Sequence, residues 1–338
     1  MLKRIIYLVY YLRELDTKKA KLFYNTVKKK TGRSAFTLTA DIILSSMKYN
    51  ISILEYFQFH FYKLKEEERR NYAGTGFMYE YQLIMNPKEY RSVLENKLEF
   101  LVKYKEFIRH SYASLSDLES DSLIAEKILY NKSGKVVLKN SYGQCGNGIE
   151  IISTSLLNQT LLVKKLRKSG NDFVEVFVVQ HTLLMQLSSS GLNTIRIITQ
   201  INEHGKVDFI AARLRITINS LVDNLAAGNI AAPVDLETGI VNGPGVYSDI
   251  TKKSELVHPV TNIPIIGFQI PFWHETVQMI TQAALIEIGN RSVGWDIAIT
   301  EDGPELIEGN HNWCKLLWQL PAQKGLKPVL DAYLKKEK

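Results

Sequence analysis

Apolar positions recur at helical spacing through the first ninety or so residues and at strand spacing afterwards. "SILEYFQFHFYKLKEEERRNY" carries apolar and aromatic residues every three to four positions and then a charged run with Glu ahead of Arg, the signature of an amphipathic helix. "PKEYRSVLENKLEFLVKYKEFI" opens with Pro at a first-turn position and predicts one further amphipathic helix. From about residue 130 the texture changes. "KVVLKN", "IEIIST", "DFVEVFVVQ", "NTIRIITQI" and "VDFIAARLRI" are β-rich runs, separated by the turn signals "NKSG", "SGND" and "NEHG". "IPFWHETVQMITQAALIEIG" returns to helical spacing. Helices followed by a long strand-rich stretch and a late helix predict an α+β fold whose lobes are built on antiparallel sheets.

The late hairpin "VGWDIAITEDGPELIEGN" (293–310) interrupts two apolar strands with Asp296, Glu308 and Asn310. A three-residue loop, Glu301-Asp302-Gly303, with Gly in the left-handed position, predicts Thr300 opposite Pro304 and Asp296 opposite Glu308. Side chains alternate along a strand, so Glu308 and Asn310 share a face with Asp296. Two carboxylates this close call for a positive charge between them, and a hard divalent cation, Mg²⁺ above all, suits oxygen ligands. A two-residue Asp302-Gly303 turn would instead send Asp296 and Glu308 to opposite faces and leave a solvated hairpin.

Composition narrows the class. The 338 residues suffice for two domains or one lobed domain, and 45% hydrophobic with 23% charged residues is ordinary for a globular chain. The longest N-terminal apolar run, "IIYLVYYL", is too short to span a bilayer, and two cysteines, Cys145 and Cys314, exclude a disulfide framework and fit a reducing cytoplasm. The net charge of +7 is uneven: residues 1–33 hold ten Lys/Arg against Glu14 and Asp16, and the remainder is close to neutral. The basic arm is either a solvated helix face or a contact for an anionic membrane surface or partner, peripheral to the membrane's inner face. No nucleic-acid motif accompanies it.

Further chemistry is carried by four stretches. "KVVLKNSYGQCGNGIEII" places Lys139 at a strand end, before a loop with Gly143, Gly146 and Gly148 and a return strand. It lacks the Gly-Lys-Ser/Thr of a P-loop, and no helix follows the glycines as a dinucleotide fingerprint requires. A glycine flap closing over a nucleotide, with Lys139 on its phosphates, is the sharper reading, and a plain hairpin loop the other. "DFVEVFVVQHTLLM" is an apolar strand broken by Glu175 and His181, suited to an adenine with a ribose just beyond. Arg196, Arg213 and Arg215 sit on strands, and a buried Arg needs a carboxylate or phosphate. "VDNLAAGNIAAPVDLETG" holds Asp223, Asn224, Gly228 and Asp235 in a loop–strand–turn whose small residues let backbone pass close to a ligand; a structural turn explains it nearly as well.

In this order the pieces resemble an ATP-grasp enzyme, and "LNTIRIIT", "LVDNLAAGNIAAPVDLETG", "HPVTNIPIIGFQIPFW" and "VGWDIAITEDGPELIEGN" resemble the sugar-transfer-associated ATP-grasp family of bacterial surface-polysaccharide assembly. The resemblance covers about residues 45–325. It implies an ATP-grasp fold of two α+β lobes gripping ATP: a helical region at 1–92, a nucleotide-binding lobe at 93–183 and a catalytic, metal-binding lobe at 184–330. It implies that Lys97 and Lys139 bind nucleotide phosphates, that Glu175 and Val178 lie on the adenine linker, and that His181 lies near the ribose. Asp296, Glu308 and Asn310 would be the ligands of one or two Mg²⁺ ions, with Mn²⁺ as a substitute, and Arg196 or Arg215 would face the transferred phosphate. Asn229 stands where a second glycine is expected.

The implied activity is an ATP-dependent carboxylate–amine ligase acting through an acyl phosphate, cytoplasmic, joining an amino acid or amine to a sugar acid in capsule or exopolysaccharide biosynthesis. Two rivals stay open: a phosphotransferase acting on a sugar hydroxyl, and a nucleotide-binding scaffold for a glycosyltransferase complex.

Overall fold

The computed structural model describes residues 2–143 and 148–335. The chain opens with α1 (Leu2–Arg13), α2 (Thr17–Thr31), α3 (Ala35–Tyr49), α4 (Ile53–Gln58), α5 (Glu66–Arg70) and α6 (Thr75–Met85). The charged helix expected after residue 52 is broken, because His60 adopts φ 55°, a left-handed conformation that ends α4. Phe23, Val27, Leu38, Ile42, Tyr56, Phe57 and Phe61 form a core between α2, α3, α4 and the turn that follows α4. That layer is tied to the rest by Lys315, whose Nζ lies 2.9 Å from the buried Glu55 carboxylate, and by Gln58 donating to the Ser248 carbonyl at 3.0 Å.

The helix expected from Pro87 onward is also interrupted. It forms α7 (Ser92–Glu95) and α8 (Lys97–Lys103), because Asn96 is extended (φ −103°, ψ 114°) and its side chain accepts from the Leu98 and Glu99 N–H groups. Asn is a favoured N-cap, and the restart makes Lys97 the first residue of α8.

The smaller sheet follows: β1 (Tyr112–Ser114), α9 (Leu115–Ser120), α10 (Ser122–Leu129), β2 (Lys135–Lys139), β3 (Glu150–Ser153), α11 (Gln159–Ser169) and β4 (Phe173–Val176), in strand order β1-β4-β2-β3, antiparallel throughout. Strand alternation gives it two faces. Val136, Leu138 and Val174 pack with Leu118, Ile128, Leu162 and Leu166 of the three helices. Val137, Lys139 and Glu175 point the other way, into a cleft.

The larger sheet is built from β5 (Ile195–Ile201), β6 (Val207–Ile216), β7 (Ile230–Val234), β8 (Ser292–Thr300) and β9 (Gly303–Asn310), in the antiparallel order β7-β6-β5-β8-β9. Before it comes α12 (Thr182–Leu187), and between β7 and β8 lies α13 (Trp273–Ala284), the late helix the spacing predicts; α14 (Lys315–Gln319) and α15 (Lys327–Leu334) end the chain. One face, with Ile195, Ile197, Leu214 and Ile297, packs on α13 and on Phe100 and Tyr104. The other packs Ile198 and Ala211 against α6, Trp313, Trp318 and Leu330. Residues of α6, α7 and α8 pack with the larger sheet.

The hairpin at the edge of this sheet reaches the expected pairing by an unexpected route. The turn is the two-residue Glu301-Asp302, with Thr300 opposite Gly303 and Ile299 opposite Pro304. Carried on regularly, this register would set Asp296 opposite Ile307. A bulge between Asp296 and Ile297 absorbs the extra residue and restores Glu308 opposite Asp296.

Candidate active site

The two sheets face each other across a cleft of about 380 Å³, within the range of small-molecule sites. Lys139 and Glu175 enter from the smaller sheet, Arg215, Asp296 and Glu308 from the larger, and Lys97 from the start of α8. Val137, Ile151, Val176, Val178 and Ile307 supply apolar wall. Of the flap glycines, Gly143 lines the cleft and its carbonyl accepts from Lys97 Nζ. Gly148 (φ 75°) lies beyond the lining and its carbonyl accepts from Asn171 at 3.2 Å. Gly146 lies outside the described residues, as does Cys145.

The larger sheet's registers set Arg213, Arg196, Asp296 and Glu308 in one row across β6, β5, β8 and β9. Arg196 binds Asp296 through two nitrogens, Nε at 2.5 Å and Nη2 at 2.7 Å, while Arg215 Nη1 reaches the same carboxylate at 2.7 Å. Arg215 Nη2 lies 2.6 Å from Asp223, which also accepts from the Thr194 hydroxyl. Burial alone would raise the Asp296 pKa, but Arg196 and Arg215 outweigh it and hold the group well below the carboxylate range. Arg215 lines the cleft and its Nε, buried, lacks a hydrogen-bond partner; Arg196 stands behind Asp296, outside the lining. Arg213 donates instead to the Trp318 carbonyl at 2.6 Å.

Glu308 is the unsettled charge. Burial and then the neighbouring Asp296 raise its pKa, and its bonded neutral partner is the Asn310 side-chain N–H at 3.1 Å. Among the described residues no group of three His, Cys, Asp or Glu side chains is arranged to hold a metal ion. The set here is two carboxylates and an amide. Asp296 is shared by two guanidinium groups, but a carboxylate offers about four lone-pair sites, so it keeps capacity for another partner. Glu308 and Asn310, with Asp296 behind them, fit a hard divalent cation in donor chemistry: a half-buried carboxylate lacking a cationic bond is what such an ion would neutralise. Lys97 acts electrostatically on Glu308 from α8, and burial lowers its pKa.

Glu175 and His181 have bonded partners within the protein. Glu175 spends its carboxylate on Lys139 Nζ, so it positions the lysine. His181 is absent from the cleft lining. The strand expected to continue to residue 185 stops at Val176; His181 then caps α12, its ring accepting from the Leu183 N–H (3.1 Å), while its backbone N–H donates to the Ile299 carbonyl (2.7 Å) and its Nε2 lies 3.5 Å from Glu301. Asn229, standing where a glycine was expected, clamps the 217–229 loop: it accepts from the Ile218 N–H (2.8 Å) and donates to the carbonyls of Val222 (2.6 Å) and Asn224 (3.0 Å). Asp235 holds an exposed turn through Thr238. The loop so held brings Asp223 and Asn224 to the cleft.

His110 was not singled out by the sequence. It is buried between the lobes, its Nδ1 2.8 Å from Glu305 on β9 and its Nε2 3.6 Å from Glu175 on β4. Burial opposes its charge, but the two glutamates raise its pKa to about 9, and it lowers that of Glu175, with Lys139, to about 2. A raised histidine contributes fully below its ordinary value of 6.5 and loses that contribution as pH rises through about 9; the depressed Glu175 contributes above 4.5 and loses it toward about 2. The bridge is therefore at full strength between those limits. His110→Gln is expected to lower stability by about 1.5–3 kcal/mol at pH 6, and by progressively less toward pH 9, in denaturant unfolding series. A pH-independent difference would show that His110 acts by packing alone.

Comparison with known proteins follows from this geometry. A family profile, "Sugar-transfer associated ATP-grasp", matches residues 77–335. Similar solved structures include D-cycloserine synthetase DcsG (11% identity, 78% of this chain and 79% of that one, TM-score 0.45) and the ATP-grasp ligase PsnB complexed with minimal precursor (12%, 75% and 63%, 0.44). Biotin carboxylase from Campylobacter jejuni, solved as a β-γ-ATP complex, is a third (12%, 70% and 47%, 0.43). The chain thus spans less than two thirds of the length of PsnB and about half of the biotin carboxylase, and at these scores the likeness is one of outline. A comparison with curated proteins finds no match. The profile covers well over half of the sequence, including both sheets and every residue of the cleft named above, and the chain therefore belongs to the sugar-transfer-associated ATP-grasp family.

Proposed function

We propose that the protein is an ATP-dependent carboxylate–amine ligase that forms an amide through an acyl phosphate, with a sugar acid as the carboxylate and an amino acid or amine as the nucleophile, in the assembly of a bacterial surface polysaccharide. The observation that carries the reading is the meeting of Lys97, Lys139 and Arg215 with the unneutralised Glu308 across one cleft whose remaining wall is apolar. An adenine suits the wall at Val137, Ile151 and Val178, and a triphosphate suits the cations.

In this reading the substrate carboxylate oxygen attacks the γ-phosphorus, the bond to the β-phosphate oxygen breaks, and ADP leaves. The amine nitrogen then attacks the acyl carbon, expels phosphate and loses a proton. Lys97 and Lys139 bind phosphate oxygens, and Glu175 with His110 keeps Lys139 in place. Arg215, fixed by Asp296 and Asp223, offers its free Nε–H to the charge developing on the acyl phosphate. Glu308 and Asn310 would hold Mg²⁺, which supplies charge neutralisation between the phosphates. The loop at Gly143, held by Lys97, would shield the acyl phosphate from water.

The test is a screen of amino acids and uronic acids for acceptor-dependent ADP release, with product analysis. An amide-linked product with ADP and free phosphate is expected. A phosphorylated sugar with ADP and no free phosphate would replace the ligase by a phosphotransferase, and nucleotide binding with no turnover on any acceptor would replace it by a scaffold.

A further inference from the structure

Helix α1 is amphipathic the wrong way round for a helix that serves only the fold. Its inward side carries tyrosines: Tyr11, buried, donates to the Asn50 carbonyl (3.2 Å) and side-chain oxygen (3.0 Å), and Tyr7 donates to Glu80 (3.0 Å). Its outward side carries branched aliphatics. Ile5, Val9 and Leu12 fall at i, i+4 and i+7, one stripe of an α-helix, with Ile6 beside them. Ile6 and Val9 are each 60% exposed and Leu12 56%. On the neighbouring α3, Leu44, which shares a groove with Arg4, is 64% exposed as well. Single exposed aliphatics are ordinary, whereas a contiguous exposed patch marks a contact surface.

Charge selects what covers it. Ten of the first 33 residues are basic and two acidic. Lys3 is bonded to Glu80 at 3.0 Å and Arg13 lies 3.7 Å from Glu14, which offsets those two. Arg4 precedes the stripe, and α2, which begins at Thr17 after a three-residue connection, carries the exposed Lys18 and Lys21. Six residues separate Leu12 from Lys18, so this lysine lies within about 20 Å of the end of the stripe. A second copy laid on this face would bring two strongly basic arms together; an anionic lipid surface is complementary to it. Among the described residues no helix is long and apolar enough to cross a membrane, and α1 has only 12 residues.

We propose that α1 is a membrane-docking helix: its Ile5–Ile6–Val9–Leu12 stripe lies in the interface of an anionic bilayer, with Arg4 and the first lysines of α2 on the headgroups. The surface lies outside the segment 77–335 that defines the family and outside the cleft, so the inference stands or falls separately from the ligase reading.

The full chain is tested by co-sedimentation with phosphatidylglycerol-rich vesicles and with pure phosphatidylcholine vesicles. Binding to the former, roughly tenfold or more stronger than to the latter and reversed by salt, is expected. Ile6→Glu with Val9→Glu should abolish it with an unchanged thermal melt, and Lys18→Glu with Lys21→Glu should weaken it on anionic vesicles alone. Equal binding of the Ile6/Val9 variant overturns the proposal, as does failure of the native chain to bind. So does a concentration-dependent dimer, seen by light scattering, that this variant dissociates without any vesicle binding by the native chain.

Discussion

Glu308→Gln is expected to lower ATP turnover by roughly 10²–10³-fold or more and to leave the melting transition in place or raise it. The two halves of that expectation have one cause. Glu308 is half-buried, its pKa is raised by burial and by Asp296, and its bonded neighbour is the neutral Asn310 amide. An ionised Glu308 therefore costs the empty fold stability, and replacing it by a neutral isostere relieves a repulsion. The same negative charge becomes useful once a cation and a triphosphate enter. A structural glutamate would behave in the opposite sense, with stability falling and activity surviving. Steady-state ADP release at saturating acceptor, together with a thermal melt of the same preparation, separates the two. Undiminished ADP release from the Gln variant rules out the catalytic assignment of the hairpin.

How much of this could be read from the chain depends on whether the signal is local. The strand end expected at Lys139 in "KVVLKN" is where β2 stops, and the lysine faces the cleft because Val136 and Leu138 face a core. The opposition of Asp296 and Glu308 was also expected, but from a three-residue turn, where the protein uses a two-residue turn and a bulge. One residue added in the loop and one added in the strand give the same downstream register, and alternation cannot tell them apart. Asn96 could have been recognised as a cap inside an otherwise helical run; the apolar spacing continued through it and hid the break. His181 followed an apolar run and was taken as its continuation, whereas the chain leaves the sheet at Val176 and restarts as a helix with His181 as its cap. His110 had no local signal at all: its partners Glu175 and Glu305 lie 65 and 195 positions away, and only the closing of the two sheets on one another brings them together.

Asp296→Ala is expected to be the most destabilising single change in the site, by about 3–5 kcal/mol, which is a large share of the roughly 5–15 kcal/mol available to a folded domain. The reason is the number of charges that depend on it. Arg196 and Arg215 both spend guanidinium nitrogens on this carboxylate, Arg196 buried and Arg215 partly so; the methyl of alanine leaves Arg215 with Asp223 and Arg196 with no bonded counter-charge among the described residues. Because the Asp296 pKa is depressed, its contribution is complete above the ordinary value of 3.8 and is lost only as pH falls toward the depressed one, so the deficit of the Ala variant should be constant through neutral pH. Adding Arg196→Met removes one stranded cation together with the missing partner and should recover part of the loss, since replacing a buried ion pair by apolar side chains costs far less than halving it. Denaturant unfolding of the two single variants and the double variant measures this coupling. Simple additivity of the two changes would mean that Asp296 and Arg196 do not share a buried charge, and the row of side chains that aims Arg215 into the cleft would lose its physical basis.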